Sequence, residues 1–336
     1  MPSFLLTGYP GFLGSALLPK LLARAPETTA ICLVQTKFAA LARARAAPFG
    51  ERVRIVEGDI TRNIELPPGD IDEIYHLAAI YDLSVRRDAG MRVNVEGTRN
   101  VLGFAARCKS LRRLHYVSTC YVSGRHEGTF RETDLDVGQR FNNYYEETKF
   151  LAEVEVRKRT GLPYIIYRPS VVVGDSRTGE TQKFDGPYFV IQWILRQPKI
   201  AIVPAPLGAK RFRFNTVPRD FIIDAIETLS ARANPGTCYQ LADPQPLLVH
   251  EIIDAIGTAS GRTIVRIPLP MFIAKMGAPL LRIPSAAVPY FTHPTTYDTT
   301  NTTRDLGFAP PRLRDYLPRL VEFARAHPEI GAAAMA

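Results

Sequence analysis

Cysteine is scarce here. The 336 residues carry four, Cys32, Cys108, Cys120 and Cys238. They form no CxxC pair and no zinc-like spacing, which argues against a disulfide framework or a structural metal and predicts reduced thiols. The six histidines show no metal-like grouping either, so no metal is expected. No apolar run reaches the roughly 20 residues of a spanning helix. The stretch Met271–Phe291 is interrupted by Lys275, Arg282 and prolines, which leaves room only for shallow membrane contact. No basic region with a cleavage site precedes the first apolar strand, so no signal peptide is expected. Repeats and low-complexity tracts are absent, and basic residues do not interleave with aromatics as in a nucleic-acid platform. These absences together predict a soluble, cytoplasmic, globular protein that does not bind nucleic acid.

What is present is an ordinary globular composition, 46% hydrophobic and 22% charged, with a net charge of +9. The length suits one large α/β unit, or a large domain with a smaller one inserted or appended. Part of the positive charge sits in Arg43, Arg45, Arg107, Lys109, Arg112 and Arg113. It reads as solvated helix faces, or as a surface favouring an anionic ligand such as a nucleotide, coenzyme A or a carrier's phosphopantetheine.

Short apolar runs at Ser3–Thr7, Ile31–Gln35, Val53–Glu57, Glu73–Leu77, Arg113–Ser118 and Tyr164–Tyr167 predict buried strands. Between them, Ser15–Arg24, a segment ending near Ala46, Val93–Cys108 and Tyr144–Arg159 have helical spacing. Continuous apolar strands alternating with helices predict a doubly wound parallel sheet covered on both faces. After Gly174 the pattern loosens. Asp220–Ser230, Leu248–Ser260 and Leu313–Ala326 read as helices, Tyr239–Leu241 as a strand, and Ile264–Phe291 as mostly short apolar helices. The resulting expectation is a Rossmann-type domain over 1–174, with 216–243 returning to it, and an irregular substrate-binding cap from 175–215 and 244–330.

The first strand leads into Gly8-Tyr9-Pro10-Gly11-Phe12-Leu13-Gly14. A glycine triplet carries weight only in the right setting, and here it follows a strand and opens a helix. Gly8 permits the tight turn, Gly11 lets the backbone approach a pyrophosphate, and Gly14 lets helix and strand pack closely. The helix N-terminus offers unpaired N–H groups to the phosphates. The spacing is GxxGxxG, and the chain here resembles the extended short-chain dehydrogenase/reductase family. The resemblance continues through Gly58-Asp59-Ile60, where the family's adenine-contacting Asp lies. It extends to His76-Leu77-Ala78-Ala79 beside the cofactor and to the Asn94-Val95-Glu96-Gly97-Thr98 helix signature. Arg168-Pro169-Ser170-Val171-Val172-Val173-Gly174 is similar to its RPxxVxG segment, which implies cofactor contacts at Pro169 and Val172.

An NAD site usually places an acid at the end of the second strand. This chain has Gln35-Thr36-Lys37 there. Lys37, with Arg43 or Arg45, would offset a 2′-phosphate, so NADP(H) is expected over NAD(H).

Tyr145 and Lys149 stand i, i+4 on a predicted helix and share one face, which is the family's YxxxK arrangement. A free tyrosine is a poor acid–base group at neutral pH. A neighbouring ammonium, with the positive nicotinamide of the oxidised complex, lowers the phenol's pKa. Tyr144 has no lysine four residues on and is the weaker candidate. The family also has a hydroxyl at the end of the fifth strand, five residues before a glycine. Gly124 selects Thr119, with Ser118 as runner-up.

Val171–Gly179 (VVVGDSRTG) resembles a segment of fatty acyl-CoA reductases and thioester-reductase domains, which implies a hydrophobic acyl thioester or aldehyde, carried on coenzyme A or a carrier protein. A polar turn is the plainer reading of Asp175–Gly179. A hydroxysteroid-like alcohol/ketone dehydrogenase is the alternative, and the apolar cap suits either. A sugar-nucleotide epimerase or dehydratase fits less well, because Cys120-Tyr121 follows Thr119 where a dehydratase commonly has Asp-Glu, and the NAD-selective acid is missing. Cys120 as a covalent nucleophile lacks a base and reads as a packed thiol. A redox sensor that has lost catalysis would not need both Tyr145 and Lys149. The resemblance also implies a homodimer through the helices near Val93–Cys108 and Tyr144–Arg159.

Overall fold

The computed structural model describes residues 3–330 apart from 70, 208, 271, 274–275 and 277–284. The runs rich in Leu, Ile, Val and Tyr form strands β1 (Ser3–Thr7), β2 (Thr29–Val34), β3 (Val53–Glu57), β4 (Glu73–His76) and β5 (Arg113–Val117). Further on come β6 (Gly128–Phe130), β7 (Tyr164–Pro169), β8 (Val171–Val173), β9 (Ile200–Pro206), β10 (Thr216–Pro218), β11 (Cys238–Leu241), β12 (Thr263–Leu269) and β13 (Thr295–Tyr297). One seven-stranded sheet has the order β11-β7-β5-β4-β1-β2-β3, and all its neighbours are parallel. The order reverses between β1 and β4. In a doubly wound sheet the ligand crevice opens at that switch, beyond the carboxyl ends of the strands.

The helices close both faces. Helices α1 (Phe12–Leu22) and α2 (Thr36–Ala46) follow β1 and β2. On the same face, Leu17, Leu18 and Leu21 of α1 share a core with Phe221, Ile222 and Ile226. On the other face, Val101, Leu102 and Phe104 pack with Ala152 and Val156. A third core joins Ile191 and Ile194 to Ala201, Val203, Ile252, Ile253, Leu317 and Leu320.

The strands expected before Gly174 are all present, with ends moved by a residue or two. The helix expected over Val93–Cys108 begins earlier. It runs as α3 (Arg87–Gly90), a π-helical turn over Met91–Glu96, and α4 (Gly97–Ala105). The expectation of short helices over Ile264–Phe291 is corrected. Thr263–Leu269 is a strand, β12, paired in parallel with β9, and Ser285–Thr292 is a 3-10 helix. Residues 271, 274–275 and 277–284 of that stretch lie outside the described residues. The β-branched Ile264, Val265 and Ile267 favour an extended chain, but the partner that makes it a strand is some 60 residues distant and invisible to local periodicity.

Candidate active site

The glycine loop closes tightly at the switch point. Gly8 has φ +91°, and a Cβ there would stand 2.8 Å from the backbone of Leu77 and Ala78. A Cβ on Gly14 would stand 2.6 Å from the Gly8 carbonyl oxygen. Phe12 opens α1 directly after the loop. The loop therefore forms a side-chain-free cradle at a helix N-terminus, the arrangement a pyrophosphate requires. A cavity of about 290 Å³ opens over it, walled by Gly8, Gly11–Gly14, Leu77–Ala79, Thr119, Tyr145, Lys149, Pro169 and Val172.

A second cavity, of about 670 Å³, lies at the ends of β2 and β3 and includes Gln35, Lys37, Asp59 and Arg62. Gln35 Nε2 donates to Asp59 Oδ2 at 3.0 Å. Burial opposes ionisation of Asp59, but hydrogen bonds from Thr61 and Gln35 hold it below its ordinary value. Lys37 lies over the Phe38 ring. The expectation that Arg43 or Arg45 faces a 2′-phosphate is corrected. Arg43 is paired with Glu57 at 2.6 Å, and Arg45 donates to the Pro10 carbonyl of the glycine loop at 2.8 Å. Arg62, which no motif pointed to, stands with Lys37 in the cavity wall.

Other expected cofactor residues stand behind these walls. The Tyr9 ring is buried in the core under α2, and the Pro10 carbonyl also accepts from Ser15 Oγ at 2.8 Å. Ile60 is buried against Gly97. Asn94, in the π-helical turn, accepts from the Ile80 amide at 2.9 Å and donates to Thr148 at 3.0 Å. It thereby ties the loop after β4 to α5 (Tyr144–Arg157). His76 bridges Thr7 and Thr98 at 2.7 and 3.1 Å, and burial pushes it down to about 3. It is a neutral clamp.

Tyr145 and Lys149 lie on the buried side of α5, whereas Tyr144 is 48% exposed. The helix begins under Asn143, whose Oδ1 accepts from the Glu146 amide at 3.0 Å, an N-cap that sets where Tyr145 points. Burial pushes the Tyr145 phenol above its ordinary value, and the neighbouring Thr119 hydroxyl pulls it partly back. Lys149 Nζ donates to Tyr116 Oη at 2.9 Å and to the Val117 carbonyl at 2.8 Å. Burial pushes its ammonium down to about 7, against the pull of Glu153. The lysine expected to acidify Tyr145 is thus held one step away, and the phenol is fully protonated, the form a proton donor needs.

The two strand-end hydroxyls separate. Ser118 donates to Glu153 at 2.6 Å, inside a fully buried pair in which Arg168 Nη2 meets Glu153 at 2.6 Å. Thr119 lines the cavity with Tyr145, its hydroxyl donating to the Pro169 carbonyl at 3.4 Å and accepting from the Tyr121 amide at 3.3 Å. Cys120 donates its thiol to the Arg168 carbonyl, and burial pushes it well up, so it holds no thiolate. Asp175–Gly179 is a built turn. Asp175 accepts from the Arg177 and Thr178 amides, and Ser176 donates to Asp220 at 2.6 Å.

From Tyr145 a narrow apolar cleft of about 30 Å³ leads away between Tyr121, Phe189, Phe214, Tyr290 and Phe291. Phe189, Phe214, Tyr290 and Phe291 come from segments after Gly174 that no motif singled out, and Tyr121 follows the strand-end hydroxyls.

Residues 6–226 match the model of the male sterility protein family, an NAD-binding family. The chain belongs to this family, a branch of the extended short-chain dehydrogenase/reductases. Against solved structures, this male sterility family member superposes on the terminal R domain from the myxalamid PKS-NRPS biosynthetic pathway. The TM-score is 0.82 at 25% identity, covering 97% of this chain and 91% of that one. It is 29% identical over 279 residues to a component of the linear gramicidin synthase of Brevibacillus parabrevis, covering 75% of this chain but 5% of that much longer protein. It is 26% identical over 280 residues to a 3-beta-hydroxysteroid dehydrogenase of Mycolicibacterium neoaurum, covering 78% and 71%. Fatty acyl-CoA reductases are also among its relatives.

Three more polar groups belong to this family member's site and escaped the motifs. Tyr81 meets Tyr145 edge-on, with centroids 5.1 Å apart. Lys183 Nζ lies 4.3 Å over the Tyr81 ring and 3.5 Å from Asp185. Burial raises Asp185, with Lys183 lowering it in part. Only the fold brings these residues to the reacting end.

Proposed function

We propose that the protein is an NADP(H)-dependent oxidoreductase that reduces a hydrophobic acyl thioester, or the related aldehyde, with Tyr145 as proton donor. The observation that carries the reading is the place of the Tyr145 phenol. Burial keeps it protonated, and it lines both the cavity over the glycine cradle, which Thr119 shares, and the aromatic cleft. A nicotinamide cofactor supplies hydride when bound. Gly8, Gly11 and Gly14 would cradle its pyrophosphate, Leu77–Ala79, Pro169 and Val172 would border its inner end, and Lys37 and Arg62 would face a 2′-phosphate.

In this reading the narrow aromatic cleft keeps bulk water from the carbonyl. Thr119 and Tyr145 polarise the carbonyl oxygen, and Tyr145 gives it a proton as the carbonyl carbon is reduced. A thioester so reduced is a hemithioacetal. It collapses to aldehyde and free thiol as the C–S bond breaks and the hydroxyl proton passes to sulfur. Lys149, one step behind the phenol, would hold the nicotinamide ribose. Residues 175–215 and 244–330 act as the cap that shapes the cleft, over a cofactor domain of 1–174 and 216–243.

The acyl-CoA reductase relatives and the VVVGDSRTG segment support a thioester. The steroid dehydrogenase relative supports a second reading, a hydroxysteroid-like ketone/alcohol oxidoreductase using the same groups. A cofactor-oxidation assay with NADPH and NADH against long-chain acyl-CoA, fatty aldehyde and steroid ketone separates them. Turnover of acyl-CoA or aldehyde with NADPH is the expected result. Turnover on the ketones alone would overturn the first reading in favour of the second.

A further inference from the structure

We propose that the outer face of the β9–β12 ribbon is a contact surface for an anionic lipid bilayer. The pairing register sets Ile202 beside Val265 and Pro204 beside Ile267. Alternation along β9 buries Ala201, Val203 and Ala205 in the third core. The opposite face would ordinarily be polar. Here it carries Ile200, Ile202, Val265 and Ile267, at 61%, 47%, 46% and 44% exposure. Leu207 extends the patch past β9, and Phe272 and Met276, among the most exposed large apolar side chains, follow β12.

The manner of contact is constrained. The Ile202 amide donates to Gln197 Oε1 at 2.9 Å, and its carbonyl accepts from Trp193 Nε1 at 2.7 Å and Gln197 Nε2 at 3.1 Å. Those groups of β9 are therefore unavailable to an added strand.

Charge selects the occupant. No Asp or Glu occurs between Asp185 and Asp220, or between Asp254 and Asp298, while these two segments hold ten lysines and arginines. Lys199 immediately precedes Ile200, and Lys210 and Arg211 follow Leu207; all three are exposed. No ion pair engages them among the described residues. On the helix Val249–Ser260, Asp254 is paired with Arg266 and Glu251 with Arg314. A second copy docked face to face would bring the same positive rim against this one. Protein interface cores favour aromatics and avoid lysine, whereas this patch is mainly aliphatic with a lysine-bearing rim. Apolar side chains set into the headgroup boundary, ringed by cations, are what an anionic bilayer holds.

The test is co-sedimentation of the full chain with phosphatidylcholine vesicles, with and without roughly 30% phosphatidylglycerol, at low and high salt. Binding to the anionic vesicles, at least tenfold stronger than to neutral ones and weakened by salt, is expected. The single tryptophan, Trp193, sits at Ile202 and reports contact by a blue shift. The triple variant Lys199→Gln, Lys210→Gln, Arg211→Gln should weaken partitioning roughly a hundredfold, about fivefold per charge. The pair Ile202→Asp and Ile267→Asp should abolish the blue shift. Melting temperature and NADPH affinity should hold in the charge variant, which alters only exposed side chains, so a folding defect in the isoleucine pair does not hide the result. Equal binding to neutral vesicles, no binding, unchanged binding of the charge variant, or a dimer dissociated by the isoleucine changes would each overturn the proposal. None of these outcomes bears on the reductase reading.

Discussion

Ser118 Oγ donates to Glu153 Oε2 at 2.6 Å, and this bond assigns different roles to adjacent hydroxyls. Ser118 serves the buried Arg168–Glu153 pair, and Thr119 serves Tyr145. Thr119→Ala should lower kcat by about 10²-fold, the usual loss for one polarising hydrogen bond, and should cost only about 0.5–2 kcal/mol of stability for the lost cap on the Tyr121 amide. Ser118→Ala should lower stability by about 1–3 kcal/mol and leave the folded enzyme's kcat within a few-fold. The reverse pattern would move the oxyanion role to Ser118. Steady-state kinetics and thermal melts on the two variants decide it.

Tyr145→Phe removes the proton donor and keeps the ring that meets Tyr81. Turnover should fall by about 10²–10⁴-fold, while NADPH binding, followed by quenching of protein fluorescence, should change less than twofold. A protein that only senses its cofactor would be indifferent to the change.

Lys149 gives a pH signature with an unusual sign. Burial lowers its ammonium from 10.5 to about 7. Between these values the unfolded chain holds a proton that the folded chain has released, so stability from this group rises with pH across that window, by at most about 1.4 kcal/mol per pH unit. Below about 7 both states are protonated and the slope vanishes. Lys149→Met should flatten the rise in denaturant-unfolding free energy between pH 7 and 10 and should raise stability at pH 7. A steeper slope in the variant would contradict the assignment.

Much of the sheet could be read from sequence because each central strand is a continuous apolar run bounded by polar turns, as a strand buried on both faces must be. The glycine cradle and the Tyr145–Lys149 face were legible for the same local reason. Gly8, Gly11 and Gly14 read as a turn because they stand between an apolar strand and a helix, and i, i+4 residues share one side of a helix. What stayed hidden depends on distant pairing. Ile264–Leu269 is a strand only because Ile200–Pro206 lies beside it. Arg62, Lys183 and Asp185 reach the cavities through loops whose composition carries no signal. Arg43 and Arg45 looked like phosphate ligands until the fold gave them Glu57 and Pro10 as partners.

Cofactor choice should rest on Lys37 and Arg62, the cations in the wall of the larger cavity. Arg62→Ala should lower kcat/KM with NADPH by about 10–100-fold, the worth of one charge-assisted hydrogen bond, and leave NADH nearly unchanged. Lys37→Ala should act in the same direction. Equal losses with both cofactors would place these residues outside the 2′-phosphate site and remove the support for NADP.

The Arg168–Glu153 pair makes a stability prediction that separates a buried charge from a buried shape. Both side chains are fully buried, and the Arg168 guanidinium also donates to the Asp134 carbonyl at 2.6 Å. Arg168→Met leaves Glu153 with Arg157 and Ser118 but strips its closest cation. It should cost about 3–5 kcal/mol, because an undercompensated carboxylate remains inside. Adding Glu153→Leu removes that carboxylate and should recover more than half of the loss, although the Asp134 carbonyl keeps only the longer bond from Arg157, at 3.4 Å. Arg157, partly exposed at 3.0 Å from Glu153, keeps its bond to the Thr133 carbonyl at 3.0 Å in the double variant. Additive losses in chemical denaturation would mean that packing, and not charge, is what the pair contributes beneath Ser118 and Thr119.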